Sequence, residues 1–181
     1  MAGVEQLLIN YEKYVRLPWQ VLAGPQKVWF AVYSSSDERR LRARLGAFET
    51  ATKQAGHGWL QHDLTDAFPT WMAAQEYREG YFDSPQDMEM ALEDFSRSVI
   101  TTVQEGLGHP DADEKTVVVI SGLGSLFGFM RASRLVEAVA PLVQGRLLVF
   151  FPGERDGTKY RLLDARDGWN YLAIPITSED N

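Results

Sequence analysis

From Thr116 to Ser121 the chain reads Thr-Val-Val-Val-Ile-Ser, and its four central residues, Val117–Ile120, are a β-branched run with no polar position to turn toward water. Such a run makes a strand only where both faces are covered, and sheets covered on both faces are mostly parallel. Lys27–Tyr33 and Arg146–Phe151 each open on a cation and continue as unbroken apolar runs that read as buried strands. The feature predicts a single α/β domain with a mostly parallel central sheet flanked by helices. This is a Rossmann-like layout, with a degenerate P-loop-like topology as one form of it.

The intervening segments supply the helices. Val4, Leu7, Leu8, Tyr11, Tyr14 and Val15 recur at helical spacing, so a first helix ends before Pro18 and an extended arm follows. Ser36-Asp37-Glu38 offers a cap and an acidic first turn to a second helix, with Leu41, Leu45, Phe48 and Thr52 inward and a stop at Gly56. His57–Leu64 reads as a short strand, followed by a helix from about Asp66 to Arg78. Ser84 and Pro85 open the longest helix. Its buried face is Met88, Ala91, Leu92, Phe95, Val99 and Val103, and Gly106 and Gly108 end it. A further helix is expected from Leu126 to Ala140. Pro152-Gly153-Glu154 should break the strand before it, and Tyr160–Leu163 and Asn170–Ile174 are short closing strands. Residues 1–24 then form a helix and arm packed on the domain, 25–176 the domain itself and 177–181 a polar tail.

Composition narrows the function. A length of 181 residues suits one core and leaves little room for another. Eighteen Lys and Arg against twenty-five Asp and Glu give a net charge of −7, which repels a phosphate backbone. Direct nucleic-acid binding is therefore not expected. There is no cysteine, which removes disulfides, thiolate metal sites and cysteine nucleophiles. Glu5 interrupts any leader-like start, and the apolar runs Val117–Ile120 and Leu147–Pro152 fall far short of a bilayer span. A cytoplasmic protein without membrane contact is expected.

Ligands of parallel sheets bind beyond the carboxyl ends of the strands. After the first strand, Ser34–Glu38 lacks the glycines and lysine of a P-loop and carries acids that repel phosphate. Gly122-x-Gly124-x-x-x-Gly128 comes closer, as a strand, a glycine turn and a helix N-terminus in succession. Yet Phe127 stands where a dinucleotide fingerprint has its third glycine. The plainer reading is a tight turn needing backbone freedom, with Ser125 capping the next helix.

His57 and His62, five apart on a strand, project to opposite faces and cannot share a metal. Glu89, Glu93 and Asp94 on the long helix, and Asp111, Asp113 and Glu114 in the loop after it, read as solvated charge. No Gly-x-Ser-x-Gly elbow occurs. No catalytic, cofactor-binding or metal-binding residue is expected. Trp59, Phe68, Trp71, Tyr77, Tyr81 and Phe82 crowd between the second strand and the long helix. Of these, Trp71, Tyr81 and Phe82 are candidates for a surface that meets a protein partner.

Four segments together resemble the BrxB family, a small component of bacteriophage-exclusion (BREX) defence systems. They are Val28–Tyr33 with its polar turn, Asp63-Leu64, Val118–Phe127 followed by Phe129–Ser133, and Leu148–Gly153 leading to Leu162-Leu163 and Trp169–Ile174. Their order and spacing cover about residues 27–176. The chain departs from the family pattern at Gly128, where proline is usual, at Arg134, where histidine is common, and in its last strand, Tyr171–Ile174.

The resemblance implies a non-catalytic adaptor of an anti-phage system that takes no cofactor and docks on a PglZ-type protein. Other BREX components are further candidate partners. The alternative is a nucleotide- or phosphate-binding enzyme using the turn at 122–125. The expected docking surface comprises Gly122, Gly124, Arg131, Pro152, Gly153 and Glu154 at the strand ends, with Trp71, Tyr81 and Phe82 nearby.

Overall fold

Alternate residues of the buried strands face two different helical layers, as the unbroken apolar runs require. On β1 (Val28–Tyr33), β3 (Thr116–Ser121) and β4 (Arg146–Asp156), one set comprises Val28, Phe30, Val118, Ile120, Leu147, Val149 and Phe151. The opposite set comprises Trp29, Ala31, Tyr33, Val117, Val119, Leu148 and Phe150. Each fully buried side chain of this size stabilises the fold by about 1.5–3 kcal/mol relative to exposure. The computed structural model describes residues 3–22, 24–76 and 78–179, and only the backbone of Arg78, Phe82 and Pro85.

Among the described residues the sheet has seven strands. β2 (Gly58–Asp63), β3, β4, β1 and β7 (Ile174–Ile176) lie in that order and pair in parallel. β5 (Lys159–Leu162) pairs antiparallel with the outer half of β4, and β6 (Trp169–Asn170) pairs antiparallel with β5. The chain is thus a single α/β domain with a mostly parallel sheet between helices.

One face carries α1 (Gly3–Val15) and α2 (Glu38–Gln54). They are joined by a buried hydrogen bond between Tyr11 and Thr52, 2.5 Å long. Thr52 Oγ1 donates its own proton to the Phe48 carbonyl, so the Tyr11 hydroxyl is the donor of the pair. The other face carries α3 (Ala67–Ala73), α5 (Met88–Leu107) and α6 (Ala132–Val139), with α4 (Arg78–Asp83) between α3 and α5 in the chain.

Several elements differ from expectation for identifiable reasons. The strand at 146–151 does not break at Pro152 but runs on to Asp156. Pro152 pairs with Tyr33 in register and uses its carbonyl to accept from Leu163 N–H at 2.9 Å. The missing proline N–H costs nothing at that point. A two-residue turn at Gly157-Thr158 then returns the chain, with Gly157 at φ +58°.

The helix expected from Leu126 starts only at Ala132, because Phe127 is extended and Gly128 is left-handed at φ +83°. A 3-10 turn, Leu123–Leu126, takes its first part, so Ser125 lies inside a turn and does not cap the helix. The helix expected over Asp66–Arg78 is two shorter ones, α3 and α4. The segment Asn170–Ile174 divides between β6 and β7. Ser34, rather than Ser36, accepts the capping bond before α2, from Ser36 N–H.

β2 forms one edge of the sheet, and its His62 packs against α5, where a Cβ on Gly106 would lie 2.2 Å from the imidazole. Its Nε2 is buried and has no hydrogen-bond partner among the described residues, and burial lowers its pKa below the ordinary value. The neutral ring is therefore the form the fold prefers. Its stabilising contribution is complete above about pH 6.5, where the unfolded chain is also neutral, and is lost as pH falls through the lowered folded value. The thermal midpoint should drop between pH 7 and pH 5, with His57 adding in the same direction. His62→Phe should flatten that slope. A variant as pH-sensitive as the wild type would contradict the assignment.

Candidate functional site

The carboxyl ends of β1 and β2 are tied by a polar network that reaches β3. Tyr33 donates its hydroxyl proton to Glu38 at the start of α2. Arg42, one turn on, donates to Glu38 Oε1 at 2.9 Å and to Thr65 Oγ1 at 2.7 Å. Thr65 in turn donates from its hydroxyl (2.5 Å) and its backbone N–H (3.0 Å) to Asp63 Oδ1. Gln61 donates to Ser121 Oγ at 2.9 Å, which brings in β3.

Burial alone would raise the Asp63 pKa. The two Thr65 hydrogen bonds, the Arg42 charge and the Ser121 hydroxyl together outweigh it and hold the carboxyl below its usual range. Tyr33 shifts upward, first through burial, then through its bond to Glu38 and the charge there, with Arg42 opposing. An ionised Asp63 and a protonated Tyr33 are thus the stable forms near neutral pH.

This network explains the glycine turn. Gly122 is left-handed, at φ +73° and ψ +21°. A Cβ there would lie 2.6 Å from Thr65 N and Oγ1 and 2.7 Å from Asp63 Oδ1. The close approach is to the Asp63–Thr65 turn, so a carboxylate occupies the ground that a phosphate would need. The 3-10 turn Leu123–Leu126 and residues 127–131 separate Gly122 from the N-terminus of α6. Strand, glycine turn and helix end follow one another in sequence without converging on one point.

The most apolar hollow at this end of the sheet lies on the α6 side and has a volume of about 370 Å³. Phe127, Met130 and Arg131 bound it on one side, Phe151 and Tyr160 form its floor, and Trp169 closes it. Phe127 keeps 41% of its surface exposed. Trp169 is fixed by donating from its indole nitrogen to Glu137 Oε1 at 3.1 Å. α6 is held to α5 by a two-pronged Arg134–Glu93 pair, both bonds 2.7 Å.

The expected surface residues divide as follows. Arg131 and Glu154 are exposed, and Gly124 and Gly153 are partly so. Gly122 and Pro152 are buried and shape the edge from beneath. Gly124 lies against Pro152 and Leu163, which brings the glycine turn and the hairpin together. Trp71 is half-buried and packs on Phe95, with ring centroids 5.5 Å apart. Phe68, beside Trp71, stacks on Phe129 at 3.8 Å, so the aromatic patch is continuous with the loop that forms the hollow. Tyr81 is half-buried on α4. Tyr77 and the Phe82 side chain lie outside the described residues.

His57 and His62 face apart, His57 stacked on Trp19 at 3.6 Å and His62 against α5. Among the described residues no group of three or more His, Asp or Glu is placed to hold a metal, and no helix is long and apolar enough to cross a membrane. Sequence reasoning missed Phe127, Met130 and Trp169 as members of one hollow. The one signal for Phe127 and Met130 was the Phe-Gly-Phe-Met segment, which sets a glycine near the start of the expected helix; Trp169, about forty residues on, had none.

The protein is a three-layer α/β domain whose strand-end edge is filled by side chains and a hairpin. Residues 70–176 match the family model described as BREX protein BrxB. The chain belongs to the BrxB family and is a component of the BREX phage-defence type. The match contains the glycine turn, the Phe-Pro-Gly strand and the closing strands, and it leaves β1 and β2 outside. Comparison with curated proteins and with solved structures gave no match.

Proposed function

We propose that this BrxB-family chain is a non-catalytic assembly component of its BREX system, without a cofactor, and that it docks in the cytoplasm on a PglZ-type protein. The docking surface is the strand-end edge around the hollow of Phe127, Arg131 and Trp169, continued by Glu154 and the Trp71 patch. One observation carries this reading. Every residue lining the hollow lies within the matched segment 70–176, whereas Tyr33, Glu38, Arg42, Asp63 and Thr65 lie before it.

The chemistry of the edge supports a protein partner. A hollow with an exposed aromatic at its mouth and arginine at its rim suits an apolar side chain flanked by acidic groups. Co-expression with the PglZ-type protein of the same gene cluster, followed by size-exclusion chromatography, should give one co-eluting species. Two folded proteins eluting separately at micromolar concentration would defeat the proposal.

The carboxylate at the glycine turn argues against the enzyme reading. A panel of mono- and dinucleotides should leave the melting temperature of the folded protein unchanged. A saturable rise with any of them would favour a nucleotide site at 122–125.

A further inference from the structure

β2 is the outermost strand on its side of the sheet, and among the described residues it pairs with β3 alone. Its backbone reaches β3 at alternate residues. Gly58 N–H donates to the Lys115 carbonyl at 3.2 Å and Leu64 N–H to the Ser121 carbonyl at 2.8 Å. The two-residue period of a strand gives Leu60 and His62 the same direction and turns the N–H and C=O of Trp59, Gln61 and Asp63 outward. Those outward groups have no backbone partner among the described residues, and Gln61 and Asp63 are exposed.

The opposite margin of the sheet is closed. β7 has three residues, one of them Pro175, which offers no N–H, and Asn10 of α1 donates to the carbonyls of Thr177 (2.7 Å) and Glu179 (3.1 Å) just beyond it. β2 has six residues and carries no proline, lysine or arginine to blunt its edge. Both cores also stop short there. Trp59 packs on the side of α1 and α2, Leu60 on the side of α5 and α6, and each is only half-buried.

An open edge of this kind is satisfied by another extended strand, and β2 fits itself. Set antiparallel about a twofold axis through Gln61, it places Gln61 opposite its own copy and Trp59 opposite Asp63 of the second copy. Outward groups then meet outward groups at all three residues, and each pair exchanges two N–H···O bonds. The two Asp63 carboxylates stay about 13 Å apart along the strands, where physiological salt screens their repulsion. On the other face Leu60 meets His62 of the second copy, so both half-buried apolar side chains gain cover.

We infer that β2 pairs with β2 of a second copy of this chain, joining two domains into a homodimer with one continuous sheet. No residue of β2 lines the hollow of Phe127 and Trp169, so this inference and partner docking succeed or fail separately.

Sedimentation velocity of the full chain tests it. The wild type should sediment at micromolar concentration with twice the mass of one chain. Gln61→Pro removes an N–H that the single chain leaves unused and sets a ring on the axis, so it should stay folded and run as a monomer. Gln61→Ala loses the side-chain bond to Ser121 Oγ but keeps that N–H, and should remain dimeric. Gln61→Lys and Gln61→Glu each set like charges face to face across the axis and should weaken the dimer several-fold. An equal mixture of those two should recover the wild-type affinity as a mixed dimer. If Gln61→Pro does not fold, the Lys and Glu variants decide. A wild type that stays monomeric, including one whose β2 pairs only with a strand of another protein, would overturn the inference. So would a folded, dimeric Gln61→Pro, or Lys and Glu variants whose mixture associates no better than either alone.

Discussion

Replacing Gly153 with alanine is expected to destabilise the protein by about 3 kcal/mol or more, which lowers the melting midpoint by roughly 6–12 °C for a chain of this size. The cause is the hairpin partner strand. A Cβ at 153 would lie 2.0 Å from the Arg161 carbonyl oxygen and 3.1 Å from Leu163 N. Those are backbone atoms of β5 and its end, so no side chain can swing aside to make room. Gly124 is the matched control. A Cβ there meets Pro152 Cγ at 3.5 Å, an ordinary contact, and its φ is not left-handed. Gly124→Ala should therefore stay within about 0.5 kcal/mol of the wild type. Equal midpoints for the two variants, read by calorimetry, would contradict the account of the hairpin.

The second large effect concerns the partner. Phe127 offers an exposed ring at the mouth of the hollow, where an anchor residue of a docking surface would sit. Phe127→Asp puts a charge there without opening a core cavity. It should leave stability nearly unchanged and weaken the PglZ-type complex at least about thirtyfold, the usual cost of losing a central aromatic contact. Arg131→Glu should weaken it less, as a rim charge does. Ile9→Asp, an equally exposed apolar position on α1 at the opposite face, should leave binding intact. If Ile9→Asp weakens the complex as much as Phe127→Asp, the docking face is misplaced.

Much of the architecture was legible because burial on both faces leaves a plain mark. Val117–Ile120 and Leu147–Phe151 can be nothing but covered strands, and with the helical spacing between them they define the three layers. The helix after the glycine turn was harder. Leu126, Phe129 and Met130 have helical spacing, yet Gly128 adopts a left-handed conformation that spacing alone does not reveal. Pro152-Gly153 looked like a break because proline lacks a donor. Only the pairing with Tyr33 and Leu163 shows that no donor is needed there.

The sites were less legible than the fold for a related reason. The hollow at the strand ends is assembled from Phe127, Phe151, Tyr160 and Trp169, far apart in the chain and each unremarkable alone. The closure of the glycine turn by Asp63 and Thr65 depends on strand order, which places β2 beside β3 and which periodicity cannot supply.

We propose that this BrxB-family chain works by docking on a PglZ-type protein through its strand-end edge. Titration calorimetry of the purified chain against the PglZ-type protein of its own gene cluster, with wild type and Phe127→Asp side by side, tests it most directly. The wild type should form a saturable complex, and Phe127→Asp should bind at least about thirtyfold more weakly. No heat of binding at micromolar concentrations of two folded proteins, or equal affinity for both forms, would contradict it.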